Sequence, residues 1–257
     1  MATERTPVGF IGHGNPMNVA MEDRYRPWVE WGQRLPRPLS VLAVSAHWEA
    51  SPVLIGSANR HDRLMYDFGG FPDWMYHLQY PAPGAPDLAD RVEGLLSPGL
   101  SVERTERLLD HGVWAPLLHL FPDADVPVLQ ISMPMTMSAE GLFELGRELA
   151  PLRDEGVFIL GTGNVVHNLP DARWDTDEPT GYAVDFDGWV AQALRTKDMA
   201  AIVDWVGRAP DPLRNHPSEE HYRPLVVATG AASGDDTRFP VEGFEHATIS
   251  RRSVQFG

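Results

Sequence analysis

The sequence predicts a single α/β domain, residues 1–257, with a central, mostly parallel β-sheet flanked by helices. Its length of 257 residues fits one large domain of this class. Hydrophobic residues make up 43% of the chain and charged residues 22%, which leaves enough apolar material for a sizeable core. Short apolar runs alternate with helical patterns through residues 1–160, and this alternation is typical of a parallel sheet that is covered on both faces.

Short apolar runs bounded by turn residues predict the strands, over residues 8–11, 41–46, 53–55, 126–132 and 157–161. Apolar residues at helical spacing predict helices over 20–34, 86–96, 139–153, 185–195, 199–206 and 224–232. The closing stretch "ATISRRSVQFG" alternates weakly between apolar and polar residues, and we expect it to form an edge strand. No internal repeat or low-complexity linker divides the sequence.

Composition excludes several partners and several kinds of site. The chain carries 21 Lys and Arg against 36 Asp and Glu, and this net charge of -15 repels nucleic acid and anionic membrane surfaces. Because there is no cysteine, any metal has to be bound by His, Asp or Glu. The stretch "MATERTPVGF" lacks a secretory signal pattern, and no apolar run approaches the roughly 18 residues of a membrane span. We therefore expect a cytoplasmic protein.

Histidines stand where three of the predicted strands end. His13 follows the first strand in "VGFIGHGNP", His47 follows the second in "VLAVSAHWE", and His167 follows a later one in "VFILGTGNVVHNL". Ligands of open α/β sheets bind at the carboxyl ends of the strands, so these imidazoles converge if their strands are neighbours. Glycines on both sides of His13 let the backbone turn and leave its ring room to face a shared ion. The repetition favours a metal site over separate structural histidines.

Two further histidines lie in turn-rich segments, His111 in "LLDHGVWAP" and His221 in "HPSEEHYRP". His216 belongs to the same segment as His221. We prefer His221, because it lies closer to the start of the predicted helix, where Pro224 fits the first turn. The other histidines are assigned to packing or to the surface: His61, His77, His119 and His246.

Two glycine pairs raise the alternative of a nucleotide site. "GHGNPM" and "GTGNVV" each follow a predicted strand, but Met17 and Val166 stand where a dinucleotide fingerprint has its third glycine. The sequence contains no GK[ST] motif and no G-x-S-x-G elbow. Neither a phosphate-binding loop nor a serine hydrolase is therefore indicated.

Ordered sequence blocks run nearly from end to end of the chain: "GHGNPMNV", "LPRP", "VSAHWE", "YDFGGFP", "YPAPGAP", "LDHGVWAPL", "FPDADVPVLQIS", "GTGNVVHNL" and "EHYRPLVVATGA". In these blocks the chain resembles the 4,5-DOPA extradiol dioxygenase family, a branch of the class III, LigB-like extradiol dioxygenases. The resemblance implies a LigB-like α/β fold and one divalent metal ion. It implies His13, His47 and His221 as metal ligands. It also implies His167 as the catalytic acid/base or a further ligand, and His111 as a residue of the substrate site.

A protein of this family is expected to insert both atoms of O2 into a catechol-type, DOPA-like aromatic next to its diol. Fe(II) can carry an electron from the catechol to O2, whereas Zn(II) also suits three imidazoles but is redox-silent. We expect Trp48, Phe68 and Phe71 to wall the substrate, with packing in the core as the alternative for Trp48, and Asp110 to orient its neighbour His111.

Two alternatives use the same scaffold. One is a zinc-dependent hydrolase that activates water on the metal, and the other is a metal-binding protein without catalytic activity. For the dioxygenase, we expect a small-molecule catechol and O2 as partners, and a monomer or a small homo-oligomer.

Overall fold

The computed structural model of the protein describes residues 5–232 and 234–257. The strands are β1 (Val8–Gly12), β2 (Ser40–Ala50), β3 (Val53–Ile55), β4 (Val102–Arg104), β5 (Val128–Pro134), β6 (Val157–Gly163), β7 (Thr237–Val241), β8 (Phe244–Glu245), β9 (Ile249–Ser250) and β10 (Ser253–Phe256). The α-helices are α1 (Glu22–Arg34), α2 (Pro86–Leu96), α3 (His111–Leu120), α4 (Ala139–Leu149), α5 (Gly181–Arg195), α6 (Met199–Val203), α7 (Trp205–Arg208), α8 (Pro212–Asn215) and α9 (Arg223–Ala232). Short 3₁₀ helices cover Pro16–Ala20, Asp73–His77 and Ala150–Glu155.

Within the described residues, eight strands form one sheet in the order β4-β3-β5-β2-β6-β1-β10-β7, and β8 pairs with β9 beside it. The centre of the sheet is parallel, because β2 pairs in parallel with β5 and β6, and β6 pairs in parallel with β1. Antiparallel pairs lie toward the sides, between β3 and β5 and between β10 and both β1 and β7. The predicted fold class, α/β with a mostly parallel central sheet flanked by helices, is confirmed.

The structure differs from the predicted elements at two helix ends, at the position of the last strand and at one further helix. The helix predicted over 139–153 ends at Leu149, because Pro151 removes a backbone donor, and a 3₁₀ turn follows. The helix predicted over 199–206 is broken at Asp204. The C-terminal stretch is not an edge strand, because β10 lies between β1 and β7. Helix α3 was not predicted, because its first residue, His111, looked like part of a turn.

Helices cover both faces of the sheet. On one face α1 and α3 pack over β1, β2 and β6, and on the other face α2, α4, α5 and α9 form a second apolar layer. In the part of the chain that the structure describes, no helix has the length and apolar character needed to cross a bilayer.

Helices α4 and α9 approach each other backbone to backbone. A Cβ on Gly146 of α4 would collide with the carbonyl oxygen of Val227 in α9, and a Cβ on Gly230 of α9 would collide with that of Phe143 in α4. The two glycines therefore set the distance between these helices. Because α9 also packs on β6, the same spacing decides where the start of α9 lies over the sheet.

Replacing Gly146 by alanine is expected to lower the free energy of unfolding by about 1–3 kcal/mol, because the added methyl group forces α4 away from α9. Gly188 of α5 is the matched control, since a Cβ there meets nothing within 4 Å. Gly188→Ala is expected to be neutral or to stabilise by about 0.5–1 kcal/mol, because alanine restricts the unfolded chain. Denaturant unfolding measures both variants. Equal stabilities would contradict the proposed role of the glycine contact.

Candidate metal centre

A cavity of about 360 Å³ lies at the carboxyl ends of β1, β2 and β6. This is the edge at which open α/β sheets bind their ligands. The histidines singled out in the sequence line it: His13, His47, His111, His167 and His221. The rest of the lining is mostly apolar or aromatic: Gly14, Asn15, Pro16, Phe68, Gly69, Phe71, Leu169, Trp174 and Ile249.

His13 follows β1 at a sharp turn. Its backbone N–H donates to the carbonyl oxygen of Gly163 in β6 (3.0 Å). Gly14 has a left-handed φ of 58°, and a Cβ at this position would collide with the carboxylate of Glu245. Glycine is therefore required directly after His13, and the turn holds the imidazole at the edge of the sheet.

His47 lies within β2, which continues beyond the predicted end of this strand. The pairing of β2 with β5 shifts in register between Val44 and Glu49, so His47 lies in an irregular part of the strand. Such bulges redirect side chains and are frequent beside active sites. His111 begins α3, and its backbone N–H donates to Asp67 Oδ1 (2.9 Å).

His167 and His221 reach the cavity from two loops that fold over the edge of the sheet. The N–H of His167 donates to the carbonyl oxygen of Asn215 (3.1 Å), and the N–H of Asn164 donates to that of His221 (3.0 Å). A Cβ on Gly163 would collide with the His221 carbonyl, so a glycine in β6 permits this close approach. The two imidazoles stack, with ring centroids 3.5 Å apart and an interplanar angle of 12°.

The five imidazoles converge on one volume. The ring centroids of His13, His47 and His221 form a nearly equilateral triangle with sides of 5.0, 5.1 and 5.4 Å. The Nε2 atoms of His13 and His47 are 3.1 Å apart. Two nitrogens bound to one ion, each at about 2.1 Å and at roughly 90–110° from each other, lie about 3.0–3.4 Å apart. The spacing of this pair therefore fits a shared divalent ion.

The ligand atoms form two groups. Those of His13, His47 and His111 lie within 4.8 Å of one another, and so do those of His167, Glu220 and His221. The structure thus brings all five predicted histidines together. The ring of His111 lies as far from that of His13 as the ring of His221 does (5.4 Å), and it lies closer to His47 (4.2 Å against 5.1 Å). The ligand set of His13, His47 and His221 therefore stays a prediction.

A hydrogen bond fixes the tautomer of His13. The Thr162 hydroxyl donates to the carbonyl oxygen of Gly112 (2.6 Å), so its oxygen is left to accept from His13 Nδ1–H (2.9 Å). With the proton on Nδ1, His13 Nε2 carries a lone pair toward the cavity. This is the form of imidazole that binds a metal ion.

Carboxylates orient the other imidazoles. Asp67 Oδ1 accepts from His111 Nδ1–H (3.0 Å), and its Oδ2 lies 3.4 Å from His47 Nδ1. Glu220 Oε1 accepts from His221 Nδ1–H (2.9 Å). Burial by itself would raise the pKa of Asp67, but the hydrogen bonds that its carboxylate accepts from the side chain and the backbone of His111 lower it to about 2. Asp67 is thus an ionised partner of two site imidazoles.

Burial keeps the imidazoles neutral. Desolvation, followed by neighbouring imidazoles, lowers the pKa of His13 and of His221 well below the usual 6.5. Desolvation and then the nearby His216 lower the pKa of His167 to about 3. A neutral imidazole has one unprotonated nitrogen, and this nitrogen can bind a cation without first losing a proton. The donor set therefore suits a divalent metal.

Trp48 lies away from the cavity. It follows His47 in β2, and neighbouring residues of a strand point to opposite faces of the sheet. Trp48 is 5% exposed and packs under the Arg107 guanidinium, which lies 4.8 Å from the ring. The geometry therefore gives no support to the predicted contact of Trp48 with substrate. Phe68 and Phe71, in contrast, both line the cavity.

Asp110 was expected to orient His111, and this prediction was wrong. Its carboxylate is fully buried and accepts from the Ser45 hydroxyl (2.8 Å) and from the side-chain amide of Gln130. Asp67 orients His111 instead, because its Oδ1 accepts from His111 Nδ1–H. Asp110 was chosen because it is adjacent to His111 in the sequence. Asp67 lies 44 positions away from His111, and the only sequence feature that pointed to it was its place in the block "YDFGGFP".

The histidines that were assigned to packing lie outside this cavity. His61 is buried and His119 is half-buried, and each donates a ring N–H to a backbone carbonyl oxygen, His61 to Val128 (2.9 Å) and His119 to Val19 (3.0 Å). His216, the alternative to His221, is buried and donates to the carbonyl oxygen of Val165 (2.7 Å). His77 is exposed beside Asp73. Cavity residues that the sequence analysis did not find are Asn15, Leu169, Trp174 and Ile249.

Comparison with known proteins agrees with this site. Over residues 7–257, the sequence matches the family described as the catalytic LigB subunit of aromatic ring-opening dioxygenase. The chain is 39% identical to the 4,5-DOPA dioxygenase extradiol of Escherichia coli (strain K12), across 100% of this chain and 97% of that protein. It is 37% identical to the 4,5-DOPA dioxygenase extradiol of Beta vulgaris, across 87% of this chain and 85% of that protein.

A solved structure extends the similarity to three dimensions. The crystal structure of the uncharacterized protein JW3007 from Escherichia coli K12 matches with a TM-score of 0.85 and 37% sequence identity, covering 98% of this chain and 100% of that one. The family predicted from the sequence blocks is confirmed. This chain belongs to the LigB family of aromatic ring-opening dioxygenases.

Proposed function

We propose that this protein is an extradiol dioxygenase that opens the ring of a catechol, DOPA-like aromatic and inserts both atoms of O2 next to the diol. One observation carries the proposal. Buried, neutral imidazoles converge at the inner end of an aromatic-walled cavity, with the Nε2 atoms of His13 and His47 3.1 Å apart. The relatives in Escherichia coli and Beta vulgaris, both named 4,5-DOPA dioxygenase extradiol, support a catechol as the substrate class.

His13, His47 and His221 are the residues that hold the metal ion in this proposal. Fe(II), when bound, supplies the electron path between catechol and O2, and Zn(II) occupies the same donors without redox activity. The hydrogen bonds at Nδ1 of His13 and His221 keep these rings oriented with Nε2 toward the cavity. A cytoplasmic location and a monomer or small homo-oligomer remain predictions from the sequence.

His167 is the proton-transfer residue in this proposal. Burial keeps its imidazole neutral, so one ring nitrogen has a lone pair that can accept a hydrogen bond or a proton from a catechol hydroxyl. Its stacking on His221 holds the ring beside the metal ligands. His111 donates its Nδ1–H to Asp67, so its Nε2 is free to accept a hydrogen bond from the substrate.

Phe68 and Phe71 form the wall for the aromatic ring. Their ring centroids lie 5.1 Å apart, and the Phe68 ring meets the His111 ring edge to face at 5.6 Å. A planar ring bound here contacts aromatic faces and excludes water from the inner end of the cavity. The wall thus selects for an aromatic substrate and orients its diol toward the imidazoles.

Oxygen uptake tests the reaction. Protein reconstituted anaerobically with Fe(II) is expected to consume O2 on addition of a catechol from a panel that includes DOPA, and to form a yellow ring-opened product. Protein reconstituted with Zn(II) is expected to consume none, because Zn(II) has no accessible redox state. Inertness of both forms toward the whole panel would contradict the dioxygenase and leave a zinc hydrolase or a metal-binding protein.

Metal content tests the roles of the histidines. His47→Ala and His221→Ala are expected to lose bound metal, measured by elemental analysis of the folded proteins. His167→Ala is expected to keep the metal and to lose about 10²–10⁴-fold in kcat, the usual contribution of a general acid/base. His77→Ala, at an exposed position, is the control and should retain both metal and activity. Loss of metal from His167→Ala would identify it as a further ligand.

A further inference from the structure

The cavity wall offers no positive side chain to a ligand. Among the described residues that line the cavity, none is Lys or Arg, and the polar side chains are the imidazoles and the amide of Asn15. The carboxylates of Asp67 and Glu220 stand directly behind the imidazoles as hydrogen-bond acceptors. A ligand carboxylate at a distance from the metal ion would therefore meet no cationic side chain, and an unpaired buried charge is costly.

The outer end of the cavity is aromatic and apolar. Trp174 is 62% exposed and Leu169 is 47% exposed, whereas His13, at the inner end, is 4% exposed. With the diol of a catechol at the imidazoles, a substituent on the opposite side of the ring points toward Trp174, Leu169 and Phe71. The faces of aromatic rings attract ammonium groups through their negative electrostatic potential and do not attract carboxylates.

A second cavity adjoins this outer end and carries negative charge. It shares Asn15 and Phe71 with the first cavity, and its lining includes Asp177 and Glu245. Glu245 is 2% exposed and accepts the backbone N–H of Asn15, so a buried carboxylate lies directly behind the wall that the two cavities share. Like Asp67 and Glu220, it provides a hydrogen-bond acceptor and no positive charge for a ligand carboxylate.

Two arginines lie near the outer end, and neither lines the first cavity. Arg24 lines the second cavity, where it forms ion pairs with Asp23 and Asp177. Arg173 precedes Trp174 in the sequence but lines a separate cavity together with Arg214. Neither guanidinium is therefore in place to pair with a substrate carboxylate.

We propose that the site selects catechols by charge: it accepts a ring substituent that is neutral or carries an ammonium group, and it discriminates against a carboxylate. This inference rests on the proposed function, because it takes the diol to face the imidazoles. An amino-acid substituent carries both charges and is expected to bind with intermediate affinity.

Equilibrium binding to the Zn(II)-loaded protein tests the selection without turnover. Three catechols of similar size are compared by calorimetry, with an aminoethyl, a hydroxyethyl or a carboxymethyl group opposite the diol. We expect the carboxymethyl catechol to bind at least about tenfold more weakly than the aminoethyl catechol, and the difference to shrink at high salt. Equal or tighter binding of the carboxymethyl catechol overturns the proposal.

Leu169 provides a matched pair of variants at the outer end. Leu169→Lys adds an ammonium group there, and Leu169→Gln controls for the loss of the apolar side chain. Relative to the glutamine variant, the lysine variant is expected to bind the carboxymethyl catechol about fivefold or more tightly, with little gain for the hydroxyethyl catechol. An unchanged affinity ratio between the two variants counts against charge selection.

Oxygen uptake by the Fe(II)-loaded protein, recorded with the same three catechols, separates the two proposals. If none is consumed but the binding series holds, the charge selection stands and the dioxygenase proposal fails. If the carboxymethyl catechol is the preferred substrate, the dioxygenase proposal stands and the charge selection fails. If none of the three binds the Zn(II)-loaded protein, both are overturned.

Discussion

The parallel direction of neighbouring strands is the constraint on which this site depends. β1, β6 and β2 lie side by side in the same direction, so their carboxyl ends meet at one edge of the sheet. His13 follows β1, His47 lies in β2, and His167 follows β6. Antiparallel neighbours would have placed successive strand ends at opposite edges. The sheet therefore brings together imidazoles that are more than a hundred residues apart in the chain.

Close backbone packing adds the last histidine to this group. Glycines at positions 161 and 163 of β6 lie where a Cβ would collide with the carbonyl oxygens of Pro224 and His221, so the start of α9 sits directly on the strand. Arg223 then ties this start to the sheet. It pairs with Glu49 of β2 and donates to carbonyl oxygens at the end of β5. Small residues on one side and an ion pair on the other thus hold His221 beside the strand ends.

The same packing holds neutral imidazoles close together at the centre of the site. Burial lowers the pKa of His13 and of His221. The hydrogen bond to Thr162 keeps the proton of His13 on Nδ1, so the lone pair of His13 is on Nε2, which lies 3.1 Å from His47 Nε2. Cation binding and the stability of the fold are therefore linked, because a cation that binds the folded protein alone stabilises it.

The sequence by itself determined the fold class, the family and the set of histidines. These properties are local, because they depend on the alternation of strands and helices, on short sequence blocks and on residue type. They were sufficient to identify the five histidines of the site: His13, His47, His111, His167 and His221. It did not determine which neighbours support those histidines. Asp110 and Trp48 were adjacent in sequence, but the direction of a side chain depends on strand register, and both point away from the cavity.

Only the tertiary structure decided the remaining features. Asp67 reaches His111 from a distant loop, the irregular pairing of β2 redirects His47, and β10 enters the sheet between β1 and β7. Each of these depends on contacts between residues far apart in the chain, whose geometry follows from packing and not from local pattern. The charge of the cavity wall is another feature that only the tertiary structure decided, because a net charge of -15 does not say which side chains face a ligand.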